Sequence, residues 1–305
     1  MFGFINLNKP QGFTSHDCVA KVRRLMNTKK VGHGGTLDPE ATGVLPIAVG
    51  KATRLLQFLP QNKAYRARIR LGMQTTTDDL EGDVIAVKEV NHLNKEAIVK
   101  HLQQFHGQIE QTPPIYSAIK QKGQKLYELA RKGIEIEVPQ RSVTIYSCEL
   151  IKIIPGEFLE IEVEIACGAG TYIRAIARDL GTMLGVGGTL AHLIRTESCS
   201  LKLPDSLNFA TIEQQLQNDT FRLISPDVLL SHLTAIALES EQSKRWCYGQ
   251  TISLSPNINL NSETSLDNPI YLRVYQEQTF LGIGILQHQE DSRWVKPKIV
   301  CADFN

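Results

Sequence analysis

The sequence predicts an α+β fold: a mixed, largely antiparallel sheet flanked by helices, followed by a small β-rich second domain. Three observations lead there. Segments 64–72 and 159–165 alternate apolar and charged residues with the period of a half-buried strand. Segments of helical spacing lie between such strands without the regular βαβ rhythm of a doubly wound sheet. From Pro204 to Pro226 the chain turns more polar, and short strands dominate the remainder. A length of 305 residues accommodates one large and one small domain, and the expected division is 1–232 and 233–305.

In chain order, Ser15 opens a helix on which Val19, Val22 and Met26 share one face. Gly32 to Gly35 form a loop that leads into Asp38-Pro39 and the apolar stretch 44–49. In 64–72, Tyr65, Ala67, Ile69 and Leu71 point one way and Arg66, Arg68 and Arg70 the other, a strand with a basic outer face. Asn94 is a helix N-cap for Ile98, Leu102 and Phe105, with Gly107 as the stop. Pro113-Pro114 interrupts the chain, and 125–132 reads as a short helix ended by Gly133. Leu159, Ile161, Val163 and Ile165 alternate with three glutamates, and Ile173, Ile176, Ala177, Leu180 and Leu184 recur at helical spacing. In the second domain, strands are expected at 270–275, 280–286 and 298–301, beside a Ser/Asn-rich loop, 253–268.

Composition narrows the function classes. Hydrophobic residues at 42% and charged residues at 21% suit a globular protein with a proper core. No apolar run is long enough to cross a bilayer, and MFGFINLNKP lacks the features of a signal peptide, so a cytoplasmic protein without membrane contact is expected. The six cysteines are scattered, which argues against zinc, a redox dithiol or a disulfide framework. The eight histidines form no metal-binding motif, and neither a Walker loop nor a G-x-G-x-x-G segment stands in its proper setting. No metal, nucleotide or redox cofactor is therefore expected. The net charge is only +1, but it is unevenly spread. Residues 1–77 hold twelve Lys/Arg against Asp17, Asp38 and Glu40, a net +9, whereas 205–305 hold seven basic against twelve acidic side chains, a net −5. Such asymmetry lets a basic face meet a phosphate backbone, and it is equally compatible with a solvated basic surface.

Gly32 to Pro46 reads GHGGTLDPEATGVLP. Its glycines permit close backbone approach around a single carboxylate, Asp38, with His33 five residues upstream. Taken alone, Asp38-Pro39 is also a good helix opening, with Asp38 as N-cap and Gly43 as stop. The string continues through Gly50-Lys51-Ala52-Thr53-Arg54, and other blocks stand in order along the chain: Lys9-Pro10, Tyr65-Arg66, TTTDDLEG from Thr75, PPIYSAIK from Pro113, KLYELARKGIE from Lys125, GTYIR from Gly170, and Leu193 with Arg195. Across about 200 residues this order and spacing resemble the TruB family of pseudouridine synthases, the bacterial tRNA pseudouridine-55 synthases.

The resemblance implies a pseudouridine synthase fold with a central cleft, and isomerisation of uridine 55 in the T loop of tRNA. The base must leave its stack and enter a pocket. Glycosidases use two carboxylates because water takes part; an enzyme that excludes water and retains the leaving base needs one. Asp38 matches the catalytic position, Arg174 the arginine that pairs with it, and Tyr65 the aromatic that stacks on the flipped uracil. Tyr172 and Leu193 match pocket walls, and His33 the histidine that enters the RNA loop where the base departed. Lys9 and Asp79 match supporting positions, and Lys9 is expected, with His33, Tyr172, Leu193, Arg66 and Lys120, to contact the RNA. Arg66, Arg68, Arg70, Lys120, Lys122, Lys125, Arg131 and Lys132 are candidate phosphate contacts. Gly249-Gln250, the strand from Phe280 to Gly284 and Val295-Lys296-Pro297 resemble a PUA-like RNA-binding domain, which would reach the acceptor end of tRNA. A monomer without an obligatory protein partner is expected. The alternatives are a non-catalytic RNA-binding or RNA-folding protein on the same scaffold, or a guide-directed enzyme with the same chemistry.

Overall fold

The structure, a computed structural model, describes residues 2–90, 93–117, 138–254, 269–289 and 292–302, and the backbone of 120–121 and 124–125. The chain begins β1 (Gly3–Lys9), α1 (Ser15–Leu25), β2 (Val31–His33), β3 (Thr42–Val49), a 3-10 segment (Gly50–Phe58) and β4 (Lys63–Leu71). It continues through the hairpin β5 (Met73–Thr75) and β6 (Val84–Val87), then α2 (Lys95–Gln103), β7 (Gly107–Gln111), and the short pair β8 (Lys120–Gln121) and β9 (Gln124–Lys125). Next come β10 (Arg141–Ile154), β11 (Glu160–Cys167), α3 (Ile173–Met183), β12 (Gly188–Ser198) and β13 (Leu201–Lys202). The last stretch holds α4 (Phe209–Gln217), α5 (Pro226–Leu229), β14 (Thr234–Ala237), α6 (Ser240–Cys247), β15 (Ile252–Leu254), β16 (Tyr271–Gln276), β17 (Thr279–Gln289) and β18 (Ser292–Val300). The helix expected at 125–132 and most of the loop 253–268 lie outside the described residues.

One sheet organises the larger part of the chain, in the order β1-β3-β12-β4-β11-β10-β7, with β2 and β13 attached. Its neighbours are antiparallel except β12 and β3, which run parallel at Ile194↔Thr42 and Arg195↔Gly43. The sheet is thus mixed and largely antiparallel, with helices against it, as the alternation implied. The alternation of β4 has its cause in two environments. Tyr65, Ala67, Ile69 and Leu71 join a core with Ile98 and Leu102 of α2 and Ile173, Ile176, Ala177 and Leu180 of α3. Arg66, Arg68 and Arg70 face away, opposite Glu164, Glu162 and Glu160 of β11 in direct register. Asn94 caps α2 by accepting from the Ala97 N–H at 2.8 Å, a contact type worth about 1 kcal/mol. Helix α3 lies so close to β12 that a Cβ on Gly181 would stand 2.0 Å from the Gly188 nitrogen. That contact fixes the axial position of α3, and with it the position of Arg174.

A second core joins Cys18, Val19 and Val22 of α1 to Leu7, Leu45 and Ile47 of β1 and β3. The opposite face of β1 and β3, with Phe4, Val44 and Ala48, packs on Leu55 and Phe58 and on Phe280, Ile283 and Ile299 of the C-terminal strands. Those strands form a separate five-stranded sheet, β14-β16-β17-β18-β15, around Trp246, Leu272, Val274 and Leu281. Among the described residues no helix is long and apolar enough to cross a membrane.

Candidate active site

Asp38 lies in the loop between β2 and β3, and the backbone on both sides of it is tied down from outside. Arg195 of β12, fully buried, donates from Nε to the Val44 carbonyl at 2.7 Å and from Nη1 and Nη2 to those of Thr36 and Gly35 at 3.2 Å. Ser15, at the start of α1, donates to the Leu37 carbonyl (3.2 Å) and accepts from the Leu37 N–H (2.9 Å). Lys9, at the end of β1, donates from Nζ to the carbonyls of Phe13 (2.6 Å), Pro39 (2.8 Å) and Pro10 (3.0 Å). Gly43 has φ +101, and a Cβ there would stand 2.3 Å from the Arg195 carbonyl oxygen, so only glycine lets β3 run beside β12. The anchored residues are 35, 36, 37 and 39; Asp38 projects between them. Asp38-Pro39 does not open a helix: the segment is a bend, and Gly43 sits inside β3 because the register with β12 claims it.

Arg174, the second residue of α3, is 7% exposed. Its Nε lies 3.1 Å from Asp38 Oδ2, and its Nη1 lies 3.3 Å from Asp79 Oδ2. Nη1 also donates to the Thr77 carbonyl (3.1 Å) and Nη2 to that of Tyr116 (3.0 Å). A cation at a helix N-terminus is disfavoured by the helix dipole; these acceptors offset that cost and hold the guanidinium in one plane. Asp79 is fixed in turn by the Thr77 hydroxyl and by the Glu81 N–H at 3.1 Å. One turn further along α3, Arg178 pairs with Asp78 at 2.9 Å and donates to the Thr112 carbonyl at 2.8 Å. Burial pushes the Asp78 carboxyl up from its ordinary value, opposed by Arg178 and Arg174. The two arginines thus clamp the loop that comes after β5.

Asp38, Asp79 and Arg174 line a cleft of about 870 Å³, within the range of small-molecule sites. Its walls include Tyr65, Leu193, Tyr172 and Ile173. Tyr65 is buried, and burial raises its phenol above the ordinary value, with Arg195 acting in the opposite direction. Tyr172 is held through its backbone: the buried Gln111 amide accepts from its N–H (2.8 Å) and donates to its carbonyl (3.1 Å). Lys63 lines the same cleft, and burial lowers its ammonium from the ordinary lysine value. Among the described residues, no group of three or more His, Cys, Asp or Glu could hold a metal ion.

The structure therefore brings together Asp38, Arg174, Tyr65, Tyr172, Leu193 and Asp79. Among the described residues, it does not bring Lys9, His33, Arg66, Arg68 or Arg70 into the cleft lining. Lys9 is fully buried with its ammonium committed to three carbonyls, so it braces the loop and cannot touch RNA, a correction to the expected contact. Arg66 points to the opposite face of β4 from Tyr65 and stands 3.8 Å from Glu162 and 3.7 Å from Glu164, so the outer face of that strand is not a free basic surface. Arg68 and Arg70 are likewise opposite glutamates. His33 packs edge-on against His16 at 5.4 Å, and its Nδ1 accepts from the Gly35 N–H at 3.3 Å. Burial, then His16 and Arg195, lower its pKa, so the neutral ring dominates at pH 7. The side chains of Lys120 and Lys125, and residues Lys122, Arg131 and Lys132 entirely, lie outside what the structure describes. Sequence reasoning missed Ser15, Gln111, Asp78 and Arg178 and assigned Arg195 no role; the one visible signal was a pair of arginines four apart on a largely apolar helix face.

Known proteins resemble this chain over most of its length. Residues 23–173 match the model of the TruB family pseudouridylate synthase N-terminal domain, and 234–299 that of the pseudouridine synthase II TruB C-terminal region. The tRNA pseudouridine synthase B of Gloeothece citriformis is 56% identical over 284 residues, 93% of this chain and 91% of that protein. The protein of the same name from Trichormus variabilis is 53% identical over 289 residues, 94% of this chain and 95% of that one. Among solved structures, a chain of a Cbf5-Nop10-Gar1 complex aligns with TM-score 0.73 and 26% identity, over 99% of this chain and 84% of that chain.

Proposed function

Since the chain belongs to the TruB family of pseudouridylate synthases, we propose that it isomerises uridine 55 in the T loop of tRNA to pseudouridine, with Asp38 as its catalytic carboxylate. The observation that carries this reading is the Asp38–Arg174 pair at 3.1 Å in a cleft of nucleotide size. Relatives that share over half their residues with the chain act, by name, on tRNA. No charge or atom need enter from outside: the N1–C1′ bond breaks, uracil turns, C5 bonds to C1′, and the C5 proton is balanced by one gained at N1. Asp38 stands where positive charge develops at C1′, and Arg174 keeps the carboxylate aimed there. Tyr65, whose raised pKa keeps its phenol protonated at neutral pH, serves as a flat stacking platform for the extruded base. Leu193 and Tyr172 close the pocket, and His33 acts at the RNA loop.

The net +9 of residues 1–77 supports phosphate contacts chiefly from the larger part of the chain, with 233–305 as a PUA-like domain that reaches the acceptor end. A cytoplasmic monomer with no obligatory protein partner completes the reading. The test is to incubate the protein with a tRNA transcript and map pseudouridine by sequencing after chemical derivatisation. Modification confined to position 55, and lost in Asp38→Asn, is expected. Modification at another uridine would overturn the site assignment, and none at all would overturn the activity.

A further inference from the structure

Among the described residues, the cleft holds one more cation besides Arg174. Lys63 opens β4, two residues before Tyr65, and both side chains line the cleft. No acceptor or carboxylate among the described residues lies within bonding distance of its ammonium, and Asp38 has Arg174 as its counterion. Its foremost charged neighbour is Arg195, which repels it. The thiols of Cys167 and Cys199 beside it do not compensate, because burial pushes both up, Cys167 to about 11, and leaves them neutral. A Cβ on Gly35 would stand 3.5 Å from Lys63 Cε and 4.0 Å from Nζ, which locates the ammonium against the Gly35-Thr36 limb of the loop rather than at the Asp38 carboxylate. Thr36 lines the cleft as well, and its N–H has no acceptor among the described residues. This wall carries uncompensated positive charge and an open donor.

We propose that Lys63, with the Thr36 N–H beside it, binds a phosphodiester group flanking the target nucleotide. The proposal rests on the RNA-isomerase reading of the same cleft. Once a base leaves its stack, the strand on either side must be held or the nucleotide returns. RNA offers one fixed anion per nucleotide for that purpose, the phosphate, and an ammonium suits it as a point charge indifferent to which oxygen it meets. Lys63 is only half-buried, at the end of its strand, whereas Tyr65 lies deeper along the same face. A phosphate at the rim and a base further in match that order. Lys63 is on this account a binding residue that keeps the nucleotide extruded.

The test uses Lys63→Met and Lys63→Arg with a tRNA stem-loop, and two further stem-loops carrying one neutral methylphosphonate, either 5′ or 3′ of the target uridine. Lys63→Met should raise KM about tenfold, with kcat within about threefold of wild type, and Lys63→Arg should recover most of the loss. The slope of log KM against log salt should become shallower by about 0.7. One of the two methylphosphonates should weaken wild type as much as the mutation does, and should weaken Lys63→Met no further. A fall in kcat at unchanged KM would assign Lys63 to the departing base and overturn the proposal. So would losses that multiply for both methylphosphonates. Failure of the wild type to form pseudouridine would bring down the underlying reading instead; stem-loop Kd values for the same variants would then still decide the phosphate contact.

Discussion

Arg174 meets Asp38 through Nε, at 3.1 Å from Oδ2, and through the same rigid plane its Nη1 stands 3.3 Å from Asp79. One guanidinium thereby sets the relative positions of two carboxylates from separate loops. A lysine ammonium is a single point and cannot span both. Arg174→Lys should therefore lower single-turnover rates on tRNA by about 100-fold or more while tRNA affinity changes little. A variant within about threefold of wild type would reduce Arg174 to a loop clamp without influence on the chemistry.

Asp38→Asn preserves the shape of the side chain and removes its charge. The neighbouring backbone is anchored independently through Ser15, Lys9 and Arg195, so the loop should keep its course. The expected outcome is loss of detectable isomerisation with a tRNA Kd within about threefold of wild type. Residual turnover within about tenfold would remove Asp38 from the catalytic role.

Lys9→Met separates a structural lysine from an RNA-binding one. The ammonium is fully buried and donates to three carbonyls, all of which would lose this donor in the variant. Thermal and urea unfolding should show a loss of about 2–4 kcal/mol. The salt dependence of tRNA binding, measured below the melting range, should stay as in wild type, since no phosphate contact is removed. A shallower salt slope with unchanged stability would contradict the burial-based assignment.

What the sequence revealed and what it concealed divide along range. The alternation of β4 and the Asn94 cap were legible because each depends on residues within a few positions of one another. The destination of Lys9 was not: one of its acceptors, the Pro39 carbonyl, comes from thirty residues away across a sheet. The arginines of β4 read as a basic face for the same reason, because the glutamates opposite them lie on β11 and only the antiparallel register brings them together. Gln111 offered no signal at all, since an isolated glutamine before two prolines does not disclose that its amide grips the backbone of Tyr172 from both sides.

His33 gives a pH-dependent signature. Burial, reinforced by His16 and Arg195, lowers its pKa from 6.5. Between the folded-state value and 6.5 the unfolded chain binds more protons, so this residue's contribution to stability rises with pH across that window and is lost as pH falls. Melting temperatures recorded from about pH 5 to about pH 7 should climb less steeply in His33→Gln than in wild type. Parallel slopes would show that the folded environment does not disfavour the charged ring.

The apolar seam where Phe280, Ile283 and Ile299 meet Phe4, Val44 and Ala48 has a consequence for how the molecule opens. β3 carries Val44 into that seam, while the carbonyl of the same residue accepts from Arg195, which steadies the Asp38 loop. Slow amide exchange in β1 and β17 should then report one shared opening event instead of two independent ones. A ligand that stiffens the loop from the cleft side should slow deuterium uptake in the C-terminal strands as well, although it touches none of them.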